Sequence, residues 1–125
     1  MFPVMKKFAF IGAGNMAFAI VGGLTAKDSS MPVLPANIIL YDAVPAQYVK
    51  FGEGFKSAKN AREAVQEADI VVLAVKPQNY DDVLAEIAGT DMQKKIVITI
   101  AAGISTEYIA KRIGCCAIVR AMPNT

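Results

Sequence analysis

Phe10-Ile11-Gly12-Ala13-Gly14-Asn15-Met16-Ala17 decides how the rest of the chain is read. A short apolar run from Lys7 to Ile11 precedes the first glycine, and an apolar stretch from Asn15 to Ala26 follows the second. Strand, tight turn and helix in that order, with this glycine spacing, form a dinucleotide phosphate-binding turn. Gly12 permits the turn. Gly14 has no Cβ, so a pyrophosphate can approach the backbone. Ala17 takes the third position, where a small residue lets helix and strand pack closely. The first-turn amides then face the diphosphate, and the helix dipole favours its charge. The alternative is a glycine turn that holds no ligand.

Working outward, strand and helix alternate. Ile38 to Tyr41 reads as a strand ending at Asp42, then Pro45 to Phe51 as a short helix, and Phe55 to Ser57 as a weak strand. Asn60-Ala61-Arg62-Glu63 reads as a capping-box-like helix start, with the helix running to about Ala68. Ile70 to Val75 is a continuous apolar strand. Asn79 to Ala88 reads as a helix with Val83, Leu84 and Ile87 on one face, and Ile96 to Ile100 as a buried strand. Ser105 caps a helix to about Ile113, and Ala117 to Arg120 is a last strand. The fold expected is a single α/β domain, a doubly wound parallel sheet of Rossmann type with strand order 3-2-1-4-5-6. The Asn15–Ala26 helix, apolar nearly all round, is expected to be buried.

Composition agrees. Hydrophobic residues make up 54% of the 125 and charged residues 19%, which suits a sheet covered on both faces. The net charge of +2 comes without a basic patch, so nucleic acid is not an expected partner. Phe8 to Ala26 carries no charge and follows Lys6-Lys7, as a signal or membrane segment would, but Asn15 and four glycines interrupt it. No membrane association is expected. Cys115 and Cys116 are adjacent, which is neither metal-ligand nor redox-motif spacing; they are expected to be buried thiols in a reducing cytoplasm. No metal site is expected. With no histidine in the chain, acid–base chemistry falls to other groups or water, and no catalytic residue is assigned.

The other candidate site residues fall at the carboxyl ends of the strands, where such sheets bind ligands. Asp42 can accept from ribose hydroxyls, and it repels a 2′-phosphate, so NADH is favoured over NADPH. It lies 30 positions beyond Gly12, against a usual spacing of about 20, and the prolyl loop from Asp28 to Pro35 accounts for the excess. Lys76, in Ala74-Val75-Lys76-Pro77, offers positive charge to a diphosphate or an anionic substrate. Ala101-Ala102-Gly103 lets a flat ring or ribose lie against backbone. Arg120 to Thr125 reads as a site wall or a surface exit loop. Each also has a plain structural reading, as a turn aspartate, a solvated lysine or a tight turn.

Together these segments resemble the N-terminal domain of pyrroline-5-carboxylate reductase. The carriers are Phe10 to Ala17, Ala68-Asp69-Ile70-Val71, Ala74-Val75-Lys76-Pro77-Gln78, Ala101-Ala102-Gly103-Ile104 and Val119-Arg120-Ala121-Met122-Pro123-Asn124-Thr125. The lysine-proline piece and the closing Arg-to-Thr piece are the specific ones. The resemblance implies NAD(P)H-dependent reduction of 1-pyrroline-5-carboxylate to proline in the cytoplasm, by a homo-oligomer in its full-length form. It implies cofactor contacts at Ile11, Gly12, Ala13, Gly14, Asn15 and Met16. It also implies contacts at Asp42, Ala43, Asn60, Ala74, Val75, Lys76, Pro77, Ala101, Ala102 and Gly103. Asn60 competes with its own capping role.

Two departures stand out. Asp42-Ala43 replaces the basic or hydroxyl residues the family often places there for a 2′-phosphate. The family's C-terminal helical domain, which forms the dimer and much of the imino-acid site, is expected to be missing, so the chain should bind dinucleotide but turn over poorly. The competing expectations are a related hydroxyacid dehydrogenase or coenzyme-F420-dependent NADP reductase, or a non-catalytic dinucleotide-sensing module.

Overall fold

The computed structural model describes residues 6–26, 33–101, 103–114 and 117–121. Six parallel strands form one sheet in the order β3-β2-β1-β4-β5-β6. They are β1 (Phe8–Ile11), β2 (Ile38–Tyr41), β3 (Lys56–Ser57), β4 (Ile70–Leu73), β5 (Ile96–Thr99) and β6 (Ala117–Arg120). Four α-helices, α1 (Asn15–Thr25), α2 (Ala61–Glu67), α3 (Tyr80–Ile87) and α4 (Thr106–Ile113), join them. The expected strand order is therefore observed. It reverses between β1 and β4, where Phe8 pairs with Ile70 and Ile11 with Leu73.

Residue alternation splits the core into two layers. Ala9, Ile11, Val71, Leu73 and Val97 face α2, α3 and α4. Phe10, Ile38, Leu40 and Val72 face α1 and the 3-10 segment Pro45–Phe51. The right-handed crossovers that move outward from β4 to β6 lay α3 and α4 on one face only. Among the described residues, α1 is thus the one α-helix on its face.

This corrects the expectation of a buried α1. Only Ala17 and Val21 are buried, and Phe18 is 44% exposed. The helix is apolar nearly all round, with Met16, Phe18, Ile20, Val21 and Leu24 beside its alanines and glycines, but no described neighbour covers its outer side. The Pro45–Phe51 segment is 3-10 rather than α-helical, and a 3-10 turn, Pro77–Asn79, precedes α3. The strand read as Ile70 to Val75 ends at Leu73, and the one read as Ile96 to Ile100 ends at Thr99. Cys115 and Cys116 lie outside the described residues, as do Asp28 to Met31 and Pro32 of the prolyl loop.

Candidate functional site

The groove at the carboxyl edge begins with the turn itself. Gly12 donates its N–H to Tyr41 O at 2.7 Å, and Ala74 donates to Ile11 O at 2.8 Å, so β2, β1 and β4 meet around it. Gly12 has φ +105°, and its Cα faces the Ala74–Val75 backbone so closely that a side chain has no room. Gly14 caps α1 in an extended conformation with open space where a Cβ would be. The start of α1 has no side-chain cap and no acid in its first turn. Its first-turn N–H groups are therefore left for an anion.

Asp42 is held rigidly. Its carboxylate accepts from Ala13 N–H at 2.8 Å and from Val44 N–H at 2.8 Å. Tyr48 Oη accepts from the Asp42 N–H at 2.8 Å and donates to the Asp42 carbonyl at 3.1 Å. Each carboxylate oxygen keeps a free lone-pair direction after one such bond, so a ribose hydroxyl can still be bound.

A groove of about 560 Å³ opens over these groups. Gly12, Gly14, Asp42 and Ala43 form its floor and one side; Ala74, Val75 and Lys76 form the other. Ile11 and Ala13 are fully buried beneath the turn, and Asn15 and Met16 begin α1 beside it. Pro77 and Gly103 line a second hollow, of about 330 Å³, between the starts of α3 and α4. Ala101 is buried at the end of β5, while Ala102 and Met122 to Thr125 lie outside the described residues. Asn60 does not line the groove. Its side chain accepts from Glu63 N–H at 2.7 Å, the cap read from the sequence, while the Glu63 carboxylate reaches back to Lys59 N–H at 3.4 Å, one residue before the cap rather than to Asn60 itself.

Several groove residues had no sequence signal. Gln47 and Asp82 reach it from the segment after β2 and from α3. Glu86 lines it too, while accepting from the Ala61 and Arg62 amides at the start of α2. Tyr41 stands in the wall with its phenol raised above the ordinary range, first by burial and then by the charge of Glu86. It stays a protonated donor at neutral pH. Beneath the loops, Tyr80 Oη donates to Leu73 O at 2.9 Å and shares a 2.9 Å bond with Thr99 Oγ1. That buried pair ties the ends of β4 and β5 together. Burial raises the Tyr80 phenol, and its bond to Thr99 opposes the rise.

Residues 7–103 match the family described as NADP oxidoreductase, coenzyme F420-dependent. The chain is 43% identical to the pyrroline-5-carboxylate reductase of Escherichia coli, over 96% of its own length and 45% of that protein. It is 38% identical to the enzyme of that name in Pseudomonas aeruginosa, over 95% of itself and 43% of the relative. A solved pyrroline-5-carboxylate reductase from Coxiella burnetii superposes with a TM-score of 0.85 at 36% identity, over 98% of this chain and 45% of that one. A Plasmodium falciparum pyrroline carboxylate reductase with NADP bound gives 0.78 at 26% identity, over 95% and 42%. The chain thus spans less than half the length of these relatives. The resemblance read from the sequence is found again by comparison over nearly the whole chain. No helix among the described residues is long and apolar enough to cross a membrane.

Proposed function

The chain belongs to the family of coenzyme F420-dependent NADP oxidoreductases, and on that premise we propose that it is the dinucleotide-binding half of a pyrroline-5-carboxylate reductase. The observation that carries the reading is the groove. An uncapped helix start, the Cβ-free approach at Gly14, the fixed Asp42 carboxylate and Lys76 all face one space at the β1/β4 switch point. These groups fit a nicotinamide dinucleotide: the α1 amides would hold the diphosphate, Asp42 would accept from the adenosine ribose hydroxyls, and Lys76 would add positive charge on the β4 side. Bound there, the nicotinamide supplies the hydride that reduces the C=N bond of 1-pyrroline-5-carboxylate to L-proline. Within the matched family, the identity to reductases of this name favours that substrate over the other members' reactions.

The finer cofactor reading is NADH over NADPH, supported by the carboxylate of Asp42 at the end of β2, which would repel a 2′-phosphate. Asn60, Pro77, Ala101, Ala102 and Gly103 remain proposed contacts, supported by the resemblance. So do the cytoplasmic location, the homo-oligomer and a helical substrate domain in the remaining length of the relatives. On this reading the 125 residues bind cofactor and reduce the imine slowly or not at all. Hydride transfer needs the substrate held in near-attack pose, and one wall of that site is present.

Titration of the chain with NADH and NADPH by fluorescence, and an assay of imine reduction, test these points. NADH should bind more tightly. Asp42→Ala should gain affinity for NADPH. Equal or tighter NADPH binding by the unaltered chain refutes the Asp42 reading, binding of neither dinucleotide refutes the function, and ordinary steady-state turnover refutes the half-site reading.

A further inference from the structure

Lys50 is partly buried on the 3-10 segment that follows β2. Its ammonium donates to two neutral amide oxygens, Gln47 Oε1 at 3.1 Å and Asn15 Oδ1 at 3.3 Å, and it lies 6.0 Å from the centroid of the Phe51 ring. Gln47 lines the groove and Asn15 opens α1 at the phosphate turn. The ammonium therefore stands at the rim where the β2 side of the groove meets the start of α1.

The walls of the groove are acidic for a site that receives phosphate. Asp42, Asp82 and Glu86 line it against the single ammonium of Lys76. Lys76 follows β4, on the far side of the switch point from β2. On the dinucleotide reading, the turn and the α1 amides between them would hold the diphosphate. A further phosphate on the adenosine ribose would lie on the β2 side and meet the charge of Asp42. A cation from the β2 side offsets that charge, and Lys50 is placed to supply it.

We propose that Lys50 determines how well this groove accepts NADPH: its ammonium leaves the Gln47 and Asn15 oxygens and binds the phosphate on the adenosine ribose. An ammonium–phosphate bond is charged on both sides and stronger than a bond to a neutral amide oxygen. The diphosphate is common to both dinucleotides and has the α1 amides to meet it; the ribose phosphate is what NADPH adds, and on this proposal the Lys50 ammonium turns to it. Asp42 and Lys50 then oppose each other, and the balance between them sets the cofactor ratio. The proposal rests on the dinucleotide reading of the groove.

The test compares the 125-residue chain with Lys50→Gln and Lys50→Arg, titrated with NADH and with NADPH. Lys50→Gln should weaken NADPH about tenfold, which corresponds to ~1.4 kcal/mol, and leave NADH within about twofold. Lys50→Arg keeps the charge and should stay close to the parent for both ligands, with unchanged far-UV circular dichroism for all three proteins. Raising salt should shrink the NADPH difference between parent and Lys50→Gln. Equal losses for both dinucleotides would move Lys50 to the shared diphosphate and overturn the proposal, as would unchanged NADPH binding. If the parent binds neither dinucleotide, the reading of the groove fails first and takes the proposal with it. If the parent prefers NADPH, yet Lys50→Gln loses it selectively, only the weight given to Asp42 falls.

Discussion

Gly12 and Gly14 stand two residues apart in one motif, and the structure gives them different work. At Gly12, φ is +105°, and an added Cβ would lie 2.7 Å from Ala74 O, 2.8 Å from Ala74 C and 2.9 Å from Val75 N. Those are backbone atoms at the exit of β4, held by the bond from Ala74 N–H to Ile11 O. They cannot move without disturbing the sheet. Gly12→Ala therefore carries two costs: about 1–3 kcal/mol for the backbone conformation and about 1–3 kcal/mol for overpacking. The sum, about 2–6 kcal/mol, is a large part of the ~5–15 kcal/mol that stabilises a typical domain. At this size each kcal/mol moves Tm by roughly 3–6 °C, so a loss of about 6 °C or more is expected. At Gly14, φ is −80° and nothing lies within 4 Å of the added Cβ. Gly14→Ala should cost less than about 1 kcal/mol, the scale of a helix N-cap substitution. Its methyl group would point into the space where the diphosphate approaches, so NADH affinity should fall about tenfold or more, ~1.4 kcal/mol or above. Thermal unfolding without ligand and NADH titration, run on both variants, separate the two effects. The reasoning fails if Gly14→Ala melts as low as Gly12→Ala, if Gly12→Ala keeps the parent Tm, or if Gly14→Ala binds NADH normally.

Two further substitutions bear on groups around the groove. Tyr80→Phe leaves the buried Thr99 hydroxyl without its partner, while Leu73 O keeps the 3.4 Å bond from Ile100 N–H; a loss of about 1–3 kcal/mol in urea unfolding is expected. The Tyr80 phenol is raised above its ordinary 10.0, so above that pH the unfolded chain releases this proton before the folded one does. The parent's advantage over Tyr80→Phe should therefore be constant below about pH 10 and shrink as pH rises toward the folded-state value; a constant gap through pH 11 would contradict this. Asn60→Ala should lose about 1 kcal/mol as the α2 cap disappears, and Asn60→Ser should recover most of it. Asn60→Ser separates the residue's two proposed roles: if Asn60 only caps, NADH affinity recovers along with stability, and if it also touches cofactor, affinity stays low.

What was legible in the sequence is what local chemistry encodes. The strand–turn–helix at Gly12 and the Asn60 and Ser105 caps follow from residues a few positions apart, and the strand order from the strand–helix alternation with its right-handed crossovers; each is present. The misreading of α1 has a different origin. Its composition says apolar, but burial depends on what covers the outer side of the helix, and the crossovers of β4 to β6 place their helices on the opposite face. Ile96 and Val119, 42% and 52% exposed, show the same thing at the other end of the sheet. The groove residues without a signal share a cause as well. Glu86 reaches the start of α2 from 25 residues away, and Gln47, which lines the groove, is bonded by Lys50, itself meeting Asn15 across 35. The motif is legible because turn and helix start are contiguous in the chain. On the proposed reading, cofactor choice turns instead on charges from separate elements: Asp42 at the end of β2 repels a ribose phosphate, and Lys50, brought beside Asn15 by the segment that follows, would offset that charge. A rule that reads NADH or NADPH from the end of β2 alone leaves the second of these out, which is why the Lys50 variants and the Asp42 variant have to be titrated together.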